Sequence, residues 1–358
     1  MPQEPAIWSR TQITLGTLPF LVLGAVALID VTVGHSTGLL ALLSLGPAFA
    51  AVAGGLARML IVSFLALFLC VLLATYSDLK VDANAQLAFL TVLGVSAAGV
   101  IASNLRQRQE RELADVRTVA EAAQQILLRP VPALPGAVRV AVRYISAMSR
   151  ATIGGDLYEV IAAAGATRFI IGDVQGKGLE AVKTASTVLG AFREVAPDTS
   201  DLAVITARIE ATLARELTDE QFVTAIVAQV SADGSKVELL NRGHPPPLLV
   251  DGAGPRLLEA AEGGLPLGLA QFAAVPAQPG HPAVIEVGAG DRILFYTDGV
   301  SEARSRSGEF FPLAQCRAVR EARDPDQILD ALSADVRRHV GHALDDDAAM
   351  LLLRREPA

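Results

Sequence analysis

Apolar residues dominate the first hundred positions and then give way to a mixed pattern. Four apolar runs occupy about 13–34, 38–56, 59–76 and 87–103. Each is near the roughly 20 residues that a helix needs to cross about 30 Å of hydrocarbon. The last is the shortest. The first exceeds the roughly 7–15 apolar residues of a cleaved signal peptide, so a retained helix is expected there. From 104 to 128 the chain turns polar, with Leu113, Val116, Ala120, Ala123 and Leu127 at alternating steps of three and four. That spacing suits a short parallel coiled coil in a homodimer, and equally a single amphipathic helix packed on its own domain. Pro130, Pro132 and Pro135 close the segment.

Beyond Gly136 short strand-like runs alternate with turns. Strands are expected at 137–144, 157–163, 167–172, 222–230, 236–241, 283–287, 292–297 and 348–353, and amphipathic helices at about 178–196, 200–217 and 325–340. Connections as short as "AAAGAT" and "SADGS" favour antiparallel hairpins over crossovers. An α+β domain built on antiparallel sheets follows. The chain therefore reads as a membrane region, 1–103, a helical linker, 104–130, and a soluble domain, 131–358.

Composition sharpens this division. The chain is 51% hydrophobic and only 19% charged, with a mean hydropathy of +0.41. Residues 1–103 hold just Glu4, Asp30, Asp78, Asp82, Arg10, Arg58 and Lys80 as charged side chains. Basic residues flanking spans stay on the cytoplasmic side. Arg10, Arg58 and the trio Arg106, Arg108 and Arg111 then place both termini, and the soluble domain, in the cytoplasm of a multi-pass cell-membrane protein. Loops on the far side, near 35–37 and 77–85, are too short for a sensor domain. Asp30, toward the outer end of the first run, suits an interfacial carboxylate or a functional intramembrane acid. The acidic balance, net charge −8, gives no support to nucleic-acid binding. Cys70 and Cys316 suggest neither a disulfide framework nor a thiolate zinc site.

Candidate chemistry lies at the strand ends. "RFIIGDVQGKG" ends a strand at Asp173 and "ILFYTDG" ends one at Asp298, while "GGDLYEVI" starts one after Asp156 and "DDDAAMLLL" starts one after Asp345, Asp346 and Asp347. The last residue of one antiparallel strand lies beside the first of its neighbour, so all these acids can gather at one sheet edge. Crowded carboxylates repel unless cations neutralise them. An all-oxygen set selects hard ions such as Mg²⁺ or Mn²⁺. Two such ions about 3.5–4 Å apart can activate a water for in-line attack on phosphorus. The residues thus point to metal-dependent phosphate-ester hydrolysis.

From about Glu121 onward the chain resembles the SpoIIE and RsbU-like branch of the PP2C (PPM) serine/threonine phosphatases. The matching blocks, in order, are "ILLRPVPALPG", "GGDLYEV", "IGDVQGKGLEA", "FVTAIVAQV", "LLNRGHPPPLLV", "LPLGL", "ILFYTDGVSEARSRSGEFF" and "DDDAAMLLLR". The resemblance implies a PP2C-like sandwich of two antiparallel β-sheets flanked by helices, here preceded by about four transmembrane helices. It implies two divalent cations, Mn²⁺ or Mg²⁺, held by Asp156, Asp173, the Val174 carbonyl, Asp298 and Asp346, with Asp347 as the alternative within the acidic run. The four aspartates would be catalytic through water activated by the metals.

Other residues near the blocks have weaker claims. Lys177 suits pairing with substrate phosphate, or a solvated lysine. His244 suits a leaving-group acid, or a turn histidine satisfied locally. Glu159, Glu180 and Glu302 neighbour the ligand motifs. The implied activity is a membrane-anchored protein serine/threonine phosphatase acting on a phosphorylated STAS-type anti-anti-sigma protein in a partner-switching pathway. A catalytically silent receptor or scaffold, and a broader small-molecule phosphoesterase, are the alternatives.

Overall fold

The computed structural model describes residues 10–33, 39–53, 55–76, 83–134, 137–147, 154–163, 165–217, 221–259, 264–270, 281–321 and 324–357. The chain divides into two compact units, Met1–Asp115 and Val116–Ala358.

The first unit is helical. It contains α1 (Arg10–Val33), a 3-10 turn (Leu40–Ser44), α2 (Leu45–Ala53), α3 (Leu56–Tyr76) and the first part of α4 (Ala83–Leu127). The second apolar run is therefore broken into a 3-10 turn and a short helix. Pro47 falls in the first turn of α2, where its missing N–H costs little. Leu23, Leu43, Met59, Val62, Ala66, Cys70 and Val92 form the interior. The outside is also apolar, with Leu21, Leu28, Ile61, Phe64, Leu87 and Ile101 exposed. Among the described residues, two helical stretches are long and apolar enough to cross a membrane, Leu56–Tyr76 and Ala85–Glu112. Gly16–Thr32 and Leu40–Val52 are shorter apolar helices. Asp30 follows Leu23 and Val26 onto the inner face and is 3% exposed, where an interfacial, solvated carboxylate was one expectation. The loop segments 34–38 and 77–82, and the heptad side chains Leu113, Val116, Ala120 and Ala123, lie outside the described residues.

The second unit is a layered α/β/β/α sandwich. Its strands are β1 (Val138–Ile145), β2 (Leu157–Ala163), β3 (Ala166–Val174), β4 (Val223–Ser231), β5 (Lys236–Arg242), β6 (Leu248–Asp251), β7 (Gly254–Leu257), β8 (Ala283–Glu286), β9 (Arg292–Tyr296) and β10 (Ala348–Arg355). Among the described residues they form two five-stranded sheets, β1-β10-β9-β6-β7 and β2-β3-β4-β5-β8, and neighbouring strands in each run antiparallel. The helices are α5 (Leu179–Val195), α6 (Leu202–Glu216), the one-turn α7 (Asp298–Ser301), α8 (Arg317–Glu321) and α9 (Pro325–Val340).

Period-two side-chain alternation explains the layers. On β10, Ala349, Leu351 and Leu353 enter the core between the sheets, while Ala348, Met350 and Leu352 pack toward α9. On β4, Ile226, Ala228 and Val230 face the other sheet, while Val223, Ala225 and Val227 pack with α5 and α6. Both faces are dry, so these strands read as continuous apolar runs. Across the middle, Phe169 of β3 meets Phe295 of β9 edge-on, ring centroids 4.8 Å apart at 71°. Helix caps add local definition: Asp324 accepts from Gln327 N at 3.1 Å, with Pro325 at the first helical position of α9.

Phe295→Ala empties the centre of the sandwich, since Phe295 is fully buried. We expect a loss of about 3–5 kcal/mol, measured by denaturant unfolding of the detergent-solubilised chain. A loss below about 1 kcal/mol would show that the sheets are not clamped there.

Candidate metal centre

Strand register builds the site. Leu157 of β2 lies opposite Gly172 of β3, so Asp156, just before β2, stands beside Asp173. Tyr296 of β9 lies opposite Met350 of β10, so Asp298, just past β9, stands near the start of β10 and the 345–347 run. Thr297 bridges the two sheets. Its hydroxyl donates to Asp156 Oδ2 at 2.7 Å and accepts from Ala349 N at 2.9 Å. Two glycines permit this crowding: a Cβ on Gly155 would sit 2.4 Å from the Val174 carbonyl oxygen, and one on Gly299 1.8 Å from the Asp347 carbonyl oxygen.

The carboxylates perturb one another. Burial raises the Asp156 carboxyl well above the usual range, and the neighbouring Asp173 charge adds to this, against the Thr297 hydrogen bond. Asp173 is pushed up to about 7, first by burial and then by Asp298 and Asp346, while a hydrogen bond with Asp156 opposes the shift. Burial, then Asp346 and Glu302, raises Asp298. Without a cation beside them, burial and mutual repulsion favour the protonated form of each of these carboxyls.

The acidic run separates by role. Asp346 faces the cleft, where Lys177 Nζ lies 2.9 Å from its Oδ1 and 3.1 Å from the Asp345 carbonyl oxygen. Asp347 is buried and engaged in hydrogen bonds. Its Oδ1 accepts from Ala147 N at 2.6 Å, and its Oδ2 accepts from Gly154 N at 2.9 Å and from the Tyr144 hydroxyl. Gln124 Nε2 in turn donates to that hydroxyl at 2.7 Å and to Gly154 O at 3.2 Å. Geometry thus offers Asp346 to a ligand and keeps Asp347 for the loop that delivers Asp156.

The remaining candidates disperse. Glu302 lines a cavity of about 290 Å³ with Lys177, Asp298, Arg304 and Asp346. Glu159 forms an ion pair with Arg193 under α5, and Glu180 lines a separate groove between α5 and α6. His244 is 5% exposed. Its Nδ1 lies 3.1 Å from Thr224 Oγ1, and its backbone closes on Asn241 through two 2.8 Å bonds. Burial pushes its pKa down to about 3. The ring is held at Nδ1 alone, since its buried Nε2 has no hydrogen-bond partner, and its burial favours the neutral imidazole. Thr297, Tyr144 and Gln124 went unsignalled in the sequence, because hydroxyls and amides acquire meaning only through partners distant along the chain.

A divalent cation fits the donor set. Asp156, Asp173, Asp298, Asp346 and the Val174 carbonyl offer oxygens only, which suits hard ions, and their mutual repulsion calls for positive charge. Among the described residues no three acidic, histidine or cysteine side chains close into a ready cage. Mg²⁺ retains several waters and does not need one.

The profile of the family described as Stage II sporulation protein E (SpoIIE) matches residues 163–356, more than half of the chain. The chain belongs to the SpoIIE family. Within the matched SpoIIE region lie Asp173, Asp298 and Asp346, and Asp156 precedes it. A structure of the RsbU and RsbW domains of Rv1364c from Mycobacterium tuberculosis is similar at 25% identity and TM-score 0.51, over 64% of this chain and 62% of that one. The PP2C phosphatase domain of SpoIIE from Bacillus subtilis, with a fragment of its regulatory domain, matches at 19% identity and TM-score 0.52, over 62% and 64%. The SiaA PP2C domain of Pseudomonas aeruginosa matches at 16% identity and TM-score 0.54, over 69% and 98%. The SpoIIE chain thus spans less than two thirds of the first two structures. Its α+β fold with two antiparallel sheets is PP2C-like, as the motif blocks implied.

With divalent ions chelated, Asp173 should make stability depend on pH. Its folded pKa, about 7, exceeds the unfolded value of roughly 3.9, so folding favours its protonated form. That contribution is complete below about pH 4 and is lost as pH rises through about 7. Thermal melts in chelator should show wild type losing about 1–4 kcal/mol relative to Asp173→Asn between pH 4 and 8. Parallel curves would contradict the assignment.

Proposed function

We propose that this protein is a membrane-anchored, metal-dependent protein serine/threonine phosphatase. The observation that carries the reading is the gathering of Asp156, Asp173, Asp298 and Asp346 at one end of a PP2C-like sandwich, in a chain of the SpoIIE family. Mn²⁺ or Mg²⁺ held by these side chains and the Val174 carbonyl would supply charge neutralisation at the phosphoryl oxygens and acidify a water. The chain does the rest. Thr297 fixes the Asp156 carboxylate, the Asp347 hydrogen bonds hold the turn before it, and Lys177 places a cation at the cleft wall, suited to an incoming phosphate.

The substrate class we infer is a phosphorylated STAS-type protein, as in partner-switching pathways. Supporting this is the similarity to a chain whose structure contains RsbU and RsbW domains. Anchoring is inferred from the exposed apolar surface of the first unit and its two long apolar helices. We place four spans in the cell membrane, with the catalytic domain in the cytoplasm, and assign the 104–128 helix as a homodimer contact.

Phosphate release from a phosphoserine protein should require Mn²⁺ or Mg²⁺ and fall more than about 100-fold in Asp173→Ala and Asp298→Ala. The check is a phosphate-release assay on purified full-length protein with and without chelator. Activity that survives both substitutions would exclude this site, and no turnover in any metal would favour a scaffold.

A further inference from the structure

The hairpin that follows α7 carries a feature the chemistry above leaves unused. Phe311 N donates to Ala303 O and Ser305 N to Glu309 O, both at 2.9 Å, and Gly308 turns the chain at φ +87°. Arg304 and Phe310 face each other across an isolated antiparallel bridge. The Arg304 guanidinium carbon lies 4.1 Å from the Phe310 ring centroid, and Nη1 donates to Gly308 O at 3.4 Å. The hairpin is tied down along its length: Arg306 Nη2 in the turn donates to Gly341 O at 2.9 Å, a His339 ring nitrogen lies 3.0 Å from Glu309 O, and the buried Phe311 packs edge-on against His339. Yet Phe310 itself is 52% exposed. Arg304 lines the cavity that Asp298 and Asp346 also line, so the pair runs from the cleft wall out to the surface.

We propose that Arg304 and Phe310 form a docking contact for the protein part of a phosphoprotein substrate, gripping the chain beside its phosphorylated residue. Arginine and aromatic side chains are the residues that most often anchor protein interfaces. Stacking holds the guanidinium in place before binding, which lowers the entropic cost of contact. Its fork has five donors, of which the Gly308 bond uses one. A small phosphate ester reaches the acids without covering Phe310, whereas a peptide extends past it. The pair is therefore a specificity determinant, and this assignment rests on the phosphatase reading above.

The test compares kcat/KM for a phosphoserine heptapeptide with kcat/KM for p-nitrophenyl phosphate, using Mn²⁺-loaded full-length protein in detergent. The unsubstituted protein should prefer the peptide. In Arg304→Ala and in Phe310→Ala the ratio of peptide to aryl ester should fall about tenfold, through a higher peptide KM. Arg304→Lys, which keeps charge and loses the planar stack, should fall between. Thermal melts confirm that each variant is folded, and Arg304→Lys serves if an alanine variant is not. An unchanged ratio, a parallel fall for both substrates, or no peptide preference in the unsubstituted protein would each overturn the proposal. No turnover of either substrate by the unsubstituted protein is a separate result, which removes the phosphatase reading and this proposal with it.

Discussion

Carboxylates held close together in a partly buried cleft repel one another, and every other feature of the site responds to that repulsion. Each charge raises its neighbours' proton affinity, so the cluster is neutralised by protons, by a nearby ammonium or by metal ions. Asp173 and Asp156 lie close enough to raise each other's proton affinity, and Lys177 lies against Asp346. The ammonium supplies positive charge to a set of acids that folding has forced together. The sequence tolerates this arrangement because the surrounding sandwich is dry and well packed, and its stability offsets the strain of the site.

The sandwich also explains the precision of the arrangement. Antiparallel register puts one pair of acids at the end of each sheet, and Thr297 joins the pairs with a hydroxyl that donates to Asp156 while it accepts from β10. Phe169 and Phe295 lock the two sheets at a fixed spacing behind this edge. A shift of either sheet by one residue would turn every ligand to the other face. Metal affinity and core packing are therefore coupled through strand register.

Much of this could be read from the chain. The strands bearing the acids have apolar runs bounded by Gly and Asp, and eight of the ten strands coincide closely with the runs at 137–144 through 348–353. The hairpin of β6 and β7 was not expected, because three prolines precede it and its strands are four residues each. The four aspartates announce themselves by recurrence at strand ends. The distinction between Asp346 and Asp347 does not, since adjacent acids look alike until one finds three buried donors and the other the cleft. His244 is ambiguous in the sequence for a related reason: its motif marks the position, while its burial appears only in the fold.

Whether Asp156, Asp173, Asp298 and Asp346 hold divalent cations is measured directly by anomalous diffraction from a manganese-soaked crystal. Manganese peaks are expected among these four carboxylates, with the Asp347 side chain still bound to Ala147, Gly154 and Tyr144. Peaks elsewhere, or none at saturating manganese, would contradict that assignment.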